Sequence, residues 1–209
     1  MEILYTDRNM AVCIKPVGVS SEDGPGSLPE LLRGAMGGEV YPIHRLDLNV
    51  GGVMVYARNQ ATAAFLSQAV AQRQLKKEYL ALCHGTPEEA GNWEDLLWKD
   101  SRKNKVYVVQ RQRQGVKKAS LEYEILGRTP EFSLARILLH TGRSHQIRVQ
   151  FASRGFPLLG DGKYGARDKI PFPALWSYRL TIPQKSGPDL VFSALPQGTV
   201  WNLIPLPEK

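Results

Sequence analysis

Apolar and polar positions alternate along much of the chain in short runs, and those runs predict strands. The segments EILYT (2–6), AVCIK (11–15), GVMVYAR (52–58), EYLALC (78–83) and KVYVVQ (105–110) share this pattern. So do SLEYEIL (120–126), FSLARILL (132–139), WSYRLTI (176–182) and LVFSAL (190–195). All are rich in β-branched and aromatic residues and bounded by turn-forming residues. Gly51-Gly52 reads as a tight turn feeding the strand that follows, because glycine reaches positive φ without a steric penalty. Only three stretches carry a helical period. SLPELLRGAM (27–36) has Ser27 as cap and Glu30 three residues on, the spacing of a capping box. NQATAAFLSQAVAQRQL (59–75) sets Ala61, Ala64, Phe65, Ala69 and Val70 on one stripe. SHQIRVQFASRG (144–155) reads as capped by Ser144, with Ile147 and Phe151 facing inward and Gly155 at its end. Strands outnumber helices and many neighbours are joined by short turns, so the pattern predicts an α+β fold on a mixed or antiparallel sheet.

Composition narrows the class. A chain of 209 residues with 43% hydrophobic content can bury a real core, and disorder is excluded. Lysine and arginine outnumber aspartate and glutamate by 27 to 20, a formal charge of +7 that favours a polyanionic partner. Cys13 and Cys83 lie in apolar strand-like runs and read as buried thiols rather than a disulfide or a metal cage. With no basic-then-apolar leader and no apolar run approaching about 18 residues, a soluble cytoplasmic protein with no membrane partner is expected.

Polar residues gather in two constellations. One is His44, Arg45 and Asp47, on a loop leading into an apolar strand, where a scaffold can hold chemistry. The other, HTGRSHQIRVQFASRGFPLLGDGKYG (140–165), offers Arg143, His145, Gln146, Arg148 and Arg154 around a helix start, groups suited to phosphate. Between them LKKEYLALCHG (75–85) reads as a helix ending in Lys76 and Lys77, followed by a strand carrying Tyr79. A tyrosine beside basic residues can stack on an unpaired base. Each residue also has a structural reading: Tyr79 as packing, the lysines as complements to a helix dipole, the histidines as backbone bridges, Arg45 with Asp47 as a surface pair. The histidine spacing matches no standard zinc pattern. HRLDLN differs from a kinase catalytic loop by one residue, and no downstream D-F-G exists.

Taken together, IKPVGV, then HRLD beside a glycine pair, then KKEYLALCHG, then TGRSHQIRVQFASRGFPLLGDGKYG resemble, in order and spacing, the RluA-type pseudouridine synthases. The resemblance runs from Ile3 to about Ala194. It implies a pseudouridine synthase fold, a mixed and mostly antiparallel sheet in two lobes flanking a basic catalytic cleft, here as one catalytic domain over residues 1–209. It implies isomerisation of specific uridines in rRNA or tRNA, by base flipping, with no metal or organic cofactor; a monomer is expected. By the same resemblance Asp47 matches the essential aspartate at the ribose, and Tyr79 the tyrosine under the base. Arg148 matches the arginine that pairs with the aspartate, and Arg45 the residue that helps open the RNA. His44, Lys76, Lys77, Arg143, His145, Gln146 and Arg154 are expected to bind substrate.

Two features depart from the family pattern. Where most members follow HRLD with two residues and then Thr-Ser-Gly, this chain has Val50, Gly51 and Gly52, so two hydroxyls are missing near the aspartate. Ile3 already falls in the matched region, so no N-terminal accessory RNA-binding domain is expected and the catalytic domain must grip its own substrate. An alternative of different class is an RNA-binding or chaperone module on the same fold without turnover. A metal nuclease using Asp47 and Asp161 lacks a carboxylate cluster.

Overall fold

The structure is a computed structural model that describes residues 1–207. In chain order its elements are β1 (Glu2–Thr6), β2 (Met10–Lys15), α1 (Leu28–Met36), β3 (Tyr41–Pro42), β4 (Gly51–Ala57), α2 (Gln60–Ala71) and β5 (Lys76–His84). Then follow β6 (Ala90–Asp100), β7 (Lys105–Val109), β8 (Val116–Arg128), β9 (Phe132–Leu139), α3 (Gln146–Ser153), β10 (Leu175–Ile182) and β11 (Leu190–Ser193). The α+β expectation therefore holds. The chain divides into two compact units, Met1–Lys77 with Trp176–Pro196, and Glu78–Leu175 with residues 197–207.

In the first unit β4 is the central strand. It pairs antiparallel with β2 from Met10↔Ala57 to Lys15↔Gly52 and with β3 at Tyr41↔Ala57, and it meets β10 in parallel at Trp176↔Gly51 and Ser177↔Gly52. β1 and β11 extend the unit antiparallel to β2 and β10. Alternation along β2, β4 and β10 sends Val12, Val53, Val55, Leu180 and Ile182 into one core, closed by Leu66 and Ala69 of α2. Of the expected stripe on α2, Ala69 is buried and Phe65 and Val70 pack against this core, but Ala61 and Ala64 are exposed and Leu66 takes the central place, because alanine carries too little apolar weight to fix a helix face. At α1 the expected cap forms, Ser27 Oγ accepting from Glu30 N at 3.3 Å, while Glu30 reaches one residue further back to Gly26 N.

Gly51 and Gly52 lie inside β4 rather than in a turn before it. A Cβ at Gly51 would run into the Trp176 ring, and one at Gly52, where φ is 124°, would strike the Ser177 backbone. The glycine pair is there so that β10 can approach.

The second unit is an antiparallel sheet in the order β5, β9, β8, β6, β7. Leu97, Val106 and Ala119 on one face of β6, β7 and β8 pack with Val149 of α3. Lys76 and Lys77 belong to β5 and do not end a helix: α2 stops at Ala71, and Arg73 turns the chain with φ 60°. β6 and the short β3 were not predicted.

Candidate active site

Asp47 sits half-buried in the loop between β3 and β4, and the backbone on either side of it is pinned. Before it, the buried Ser21 hydroxyl donates to Leu46 O at 3.0 Å and accepts from Leu46 N at 3.2 Å, and Tyr56 Oη holds Ser21 O at 3.0 Å. After it, Leu48 O accepts from Gly18 N at 2.8 Å and from Lys15 Nζ at 3.2 Å. Val50 N closes the turn onto Asp47 O at 3.0 Å. Lys15 is 0% exposed, and its ammonium also donates to Pro16 O at 2.8 Å and Val19 O at 2.7 Å. Burial pulls the Lys15 pKa down to about 8, with the Asp47 charge acting against that fall. Neither Lys15 nor Ser21 was among the predicted site residues; the one signal available was a lysine ending an otherwise apolar strand.

His44, expected to bind substrate, is instead a structural group. Its Nε2 accepts from Val55 N at 3.3 Å, which places the ring proton on Nδ1, a buried atom without a hydrogen-bond partner among the described residues. Burial, assisted by the Lys77 charge, depresses its pKa to about 3, so the ring is neutral and offers phosphate no charge. Arg45 is exposed and forked onto Glu22 at 3.2 and 3.1 Å rather than onto Asp47. Lys76 is exposed, whereas Lys77 is buried with a lowered pKa, which removes it from any solvent-facing phosphate rim.

In the second unit, Tyr79 is a buried residue of β5 opposite Ile137 of β9. Arg148, the third residue of α3, is buried and bound by Asp161, Nε to Oδ2 at 2.7 Å and Nη2 to Oδ1 at 2.8 Å. The guanidinium also lies 5.2 Å from the centroid of the Tyr164 ring. Tyr164 Oη accepts from Val106 N at 2.9 Å and lies 2.9 Å from His145 Nδ1, so His145 ties the helix start to β7. His145, at φ 51°, is itself the N-cap and makes no side-chain capping bond, so Ser144 is not the cap. Its work is done by the buried Gln146, whose Oε1 accepts from Thr141 Oγ1 at 2.7 Å and Arg143 N at 3.1 Å while Nε2 donates to Ser120 O at 3.0 Å. Gln146 therefore organises the loop rather than facing a ligand. Arg143 is exposed, with Nε on Lys118 O. Arg154 was expected on phosphate but is held by Asp95 at 2.9 and 3.2 Å and stacked 4.3 Å over Trp93, which ties the end of α3 to β6.

Among the described residues no group of three or more His, Cys, Asp or Glu could hold a metal, and no helix is long and apolar enough to cross a membrane.

A scan against family models matches residues 9–153 to the RNA pseudouridylate synthase family. The dual-specificity RNA pseudouridine synthase RluA of Escherichia coli is 35% identical over 208 residues, covering 92% of this chain and 91% of that protein. The ribosomal large subunit pseudouridine synthase D of Borreliella burgdorferi is 32% identical over 199 residues, covering 86% of this chain and 60% of that protein. Among solved structures, human RNA pseudouridylate synthase domain containing 4 superposes with a TM-score of 0.82 at 25% identity, over 99% of this chain and 95% of that one. The chain belongs to the RNA pseudouridylate synthase family and is of its RluA type. It spans 60% of the length of the Borreliella relative and of the uncharacterized RNA pseudouridine synthase YlyB of Bacillus subtilis, to which it is 31% identical.

Proposed function

We propose that this chain, acting as one catalytic domain, isomerises uridine to pseudouridine within ribosomal or transfer RNA. The reaction breaks the N1–C1′ bond, turns the base, joins C5 to C1′, and moves the C5 proton off while N1 gains one. No redox step or external group is involved, so the protein must supply a carboxylate at the ribose, a platform for the detached base, and a cation that favours the ionised acid. Asp47 takes the first role, as nucleophile at the anomeric carbon or as base on the ribose. Tyr79 takes the second and receives the C5 proton, and Arg148 takes the third. Arg45, exposed and paired only at the surface, enters the RNA when the nucleotide flips, a step that costs a few kcal/mol.

The observation that supports this most is the pinning of Leu46 and Leu48, which fixes the backbone on both sides of Asp47. Preorganisation of that kind serves a group that reacts. The test is Asp47→Asn, which removes a charge and almost no volume. Product formation should fall by at least about 10⁴-fold, with RNA affinity and thermal stability little changed. Appreciable turnover by the variant would remove Asp47 from this role, and RNA binding without any product from the native chain would leave a binding module.

A further inference from the structure

The chain's positive charge is not spread over it. Residues 99–118 hold eight of the 27 lysines and arginines and one of the 20 acidic residues, a surplus equal to the +7 of the entire chain. The rest of the chain is formally neutral. This segment runs from the end of β6 through β7 into β8. Its single carboxylate, Asp100, is occupied by its own turn, Oδ1 accepting from Arg102 N at 3.0 Å and Lys103 N at 3.1 Å. Lys99, Arg102 and Lys103 are exposed around that turn, as are Arg111 and Arg113 in the next loop and Lys117 and Lys118 beyond it. Elsewhere, cations such as Arg33, Arg128, Arg136 and Arg154 are matched by carboxylates. Among the described residues none of the eight in this segment forms an ion pair.

Aromatic rings sit among these charges. Trp98 and Tyr107 face each other across β6 and β7, half-buried, with ring centroids 6.2 Å apart and planes tilted by 31°. Alternation puts both on the face opposite to Leu97 and Val106, which fill the core beneath α3. The Arg113 guanidinium lies 5.0 Å over Trp98, and Lys105 Nζ lies 5.8 Å over Tyr107. Unneutralised cations interleaved with accessible rings are what a flexible nucleic-acid strand requires: charges for phosphates and π-faces for unpaired bases.

We propose that residues 98–118 form an RNA-binding surface, distinct from the residues that act on the target uridine, which holds a single-stranded stretch of the substrate. This rests on the isomerase reading for the identity of the polyanion. The test is binding of a fluorescent oligouridylate of roughly 12 nucleotides, titrated from low to high salt. The variant Lys99→Gln, Arg102→Gln, Lys103→Gln, Arg111→Gln, Arg113→Gln should flatten the logarithmic salt slope by about 0.7 per lost phosphate contact, up to roughly 3.5. Trp98→Leu should instead lower affinity about 5- to 150-fold at every salt concentration. Thermal unfolding accompanies both variants, and the charge variant alters only exposed side chains, so it stays interpretable if the tryptophan variant fails to fold. An unchanged slope overturns the proposal. Unchanged RNA binding with lost binding to polyglutamate assigns the surface to an acidic protein and overturns it equally. Pseudouridine yield of the native chain is scored separately: no product with a flattened slope sinks the isomerase reading alone, and product with an unaltered slope sinks only this one.

Discussion

The loop that carries Asp47 and the side chain of Arg148 are anchored differently. The aspartate is positioned through its neighbours' backbone, by Ser21, Gly18 and Lys15, each donor reaching a peptide group rather than the carboxylate. The arginine is positioned through its own charge, by a two-pronged bond to a buried aspartate with a tyrosine ring alongside. Backbone pinning fixes the position of a loop residue, whereas a buried counter-ion makes the charge and the fold interdependent. Damage to the first arrangement should therefore appear mainly in turnover, and damage to the second mainly in stability.

The largest effect is expected at Asp161. Asp161→Asn removes the charge that the buried Arg148 guanidinium grips with two prongs and should cost about 3–5 kcal/mol of stability, read by denaturant unfolding. A loss below about 1 kcal/mol, the range of an exposed pair, would erase the distinction drawn here.

Lys15→Met should cost less, about 1–3 kcal/mol for carbonyls left unpaired, but should slow product formation more than that loss explains, because Leu48 is released beside Asp47. Lys15 also gives the contrast a pH signature. Its folded pKa of about 8 lies below the ordinary 10.5, so between these values the unfolded chain binds more protons. The contribution of this group to stability is lowest below pH 8 and rises as pH climbs towards 10.5, by on the order of 3 kcal/mol. The difference between native and Lys15→Met unfolding curves across that window should show the rise; a flat difference would mean that the ammonium is not desolvated.

Arg45→Ala should have the smallest effect on stability, within about 1 kcal/mol, since its pair with Glu22 is exposed. If Arg45 enters the RNA, single-turnover rates should drop more on a stable stem-loop than on an unstructured strand containing the same uridine. Equal losses would make it an ordinary phosphate contact.

The strands legible in sequence are those with strong apolar runs, such as β4, buried along its entire length, and β9, buried along most of it. β6 was not, because Asn92, Glu94, Asp95 and Lys99 break its apolar alternation, and the half-buried Asp95 is stabilised by Gln150 and Arg154 from α3, far along the chain. The candidate site divides in the same way: Asp47, Tyr79 and Arg148 are proposed from local blocks, whereas the groups that hold Asp47 and Arg148 are not legible there. Ser21 meets Leu46 across 25 positions and Lys15 meets Leu48 across 33, while Asp161 lies in a glycine-rich stretch that reads as turn. Arg154 and Gln146 show the converse error: polar residues at a helix start or end resemble ligand contacts until their tertiary partners are seen. The basic segment was hidden in the overall charge, and only counting by window isolates it.

The two thiols offer an internal clock for opening of the fold. Cys13 lies in the first unit and Cys83 in the second, both fully buried, and burial raises each pKa to about 12. A thiol-reactive dye should thus ignore the folded chain and label each position only when its own strand is exposed. Labelling rates resolved by peptide mapping would report which unit opens first, with no engineered probe.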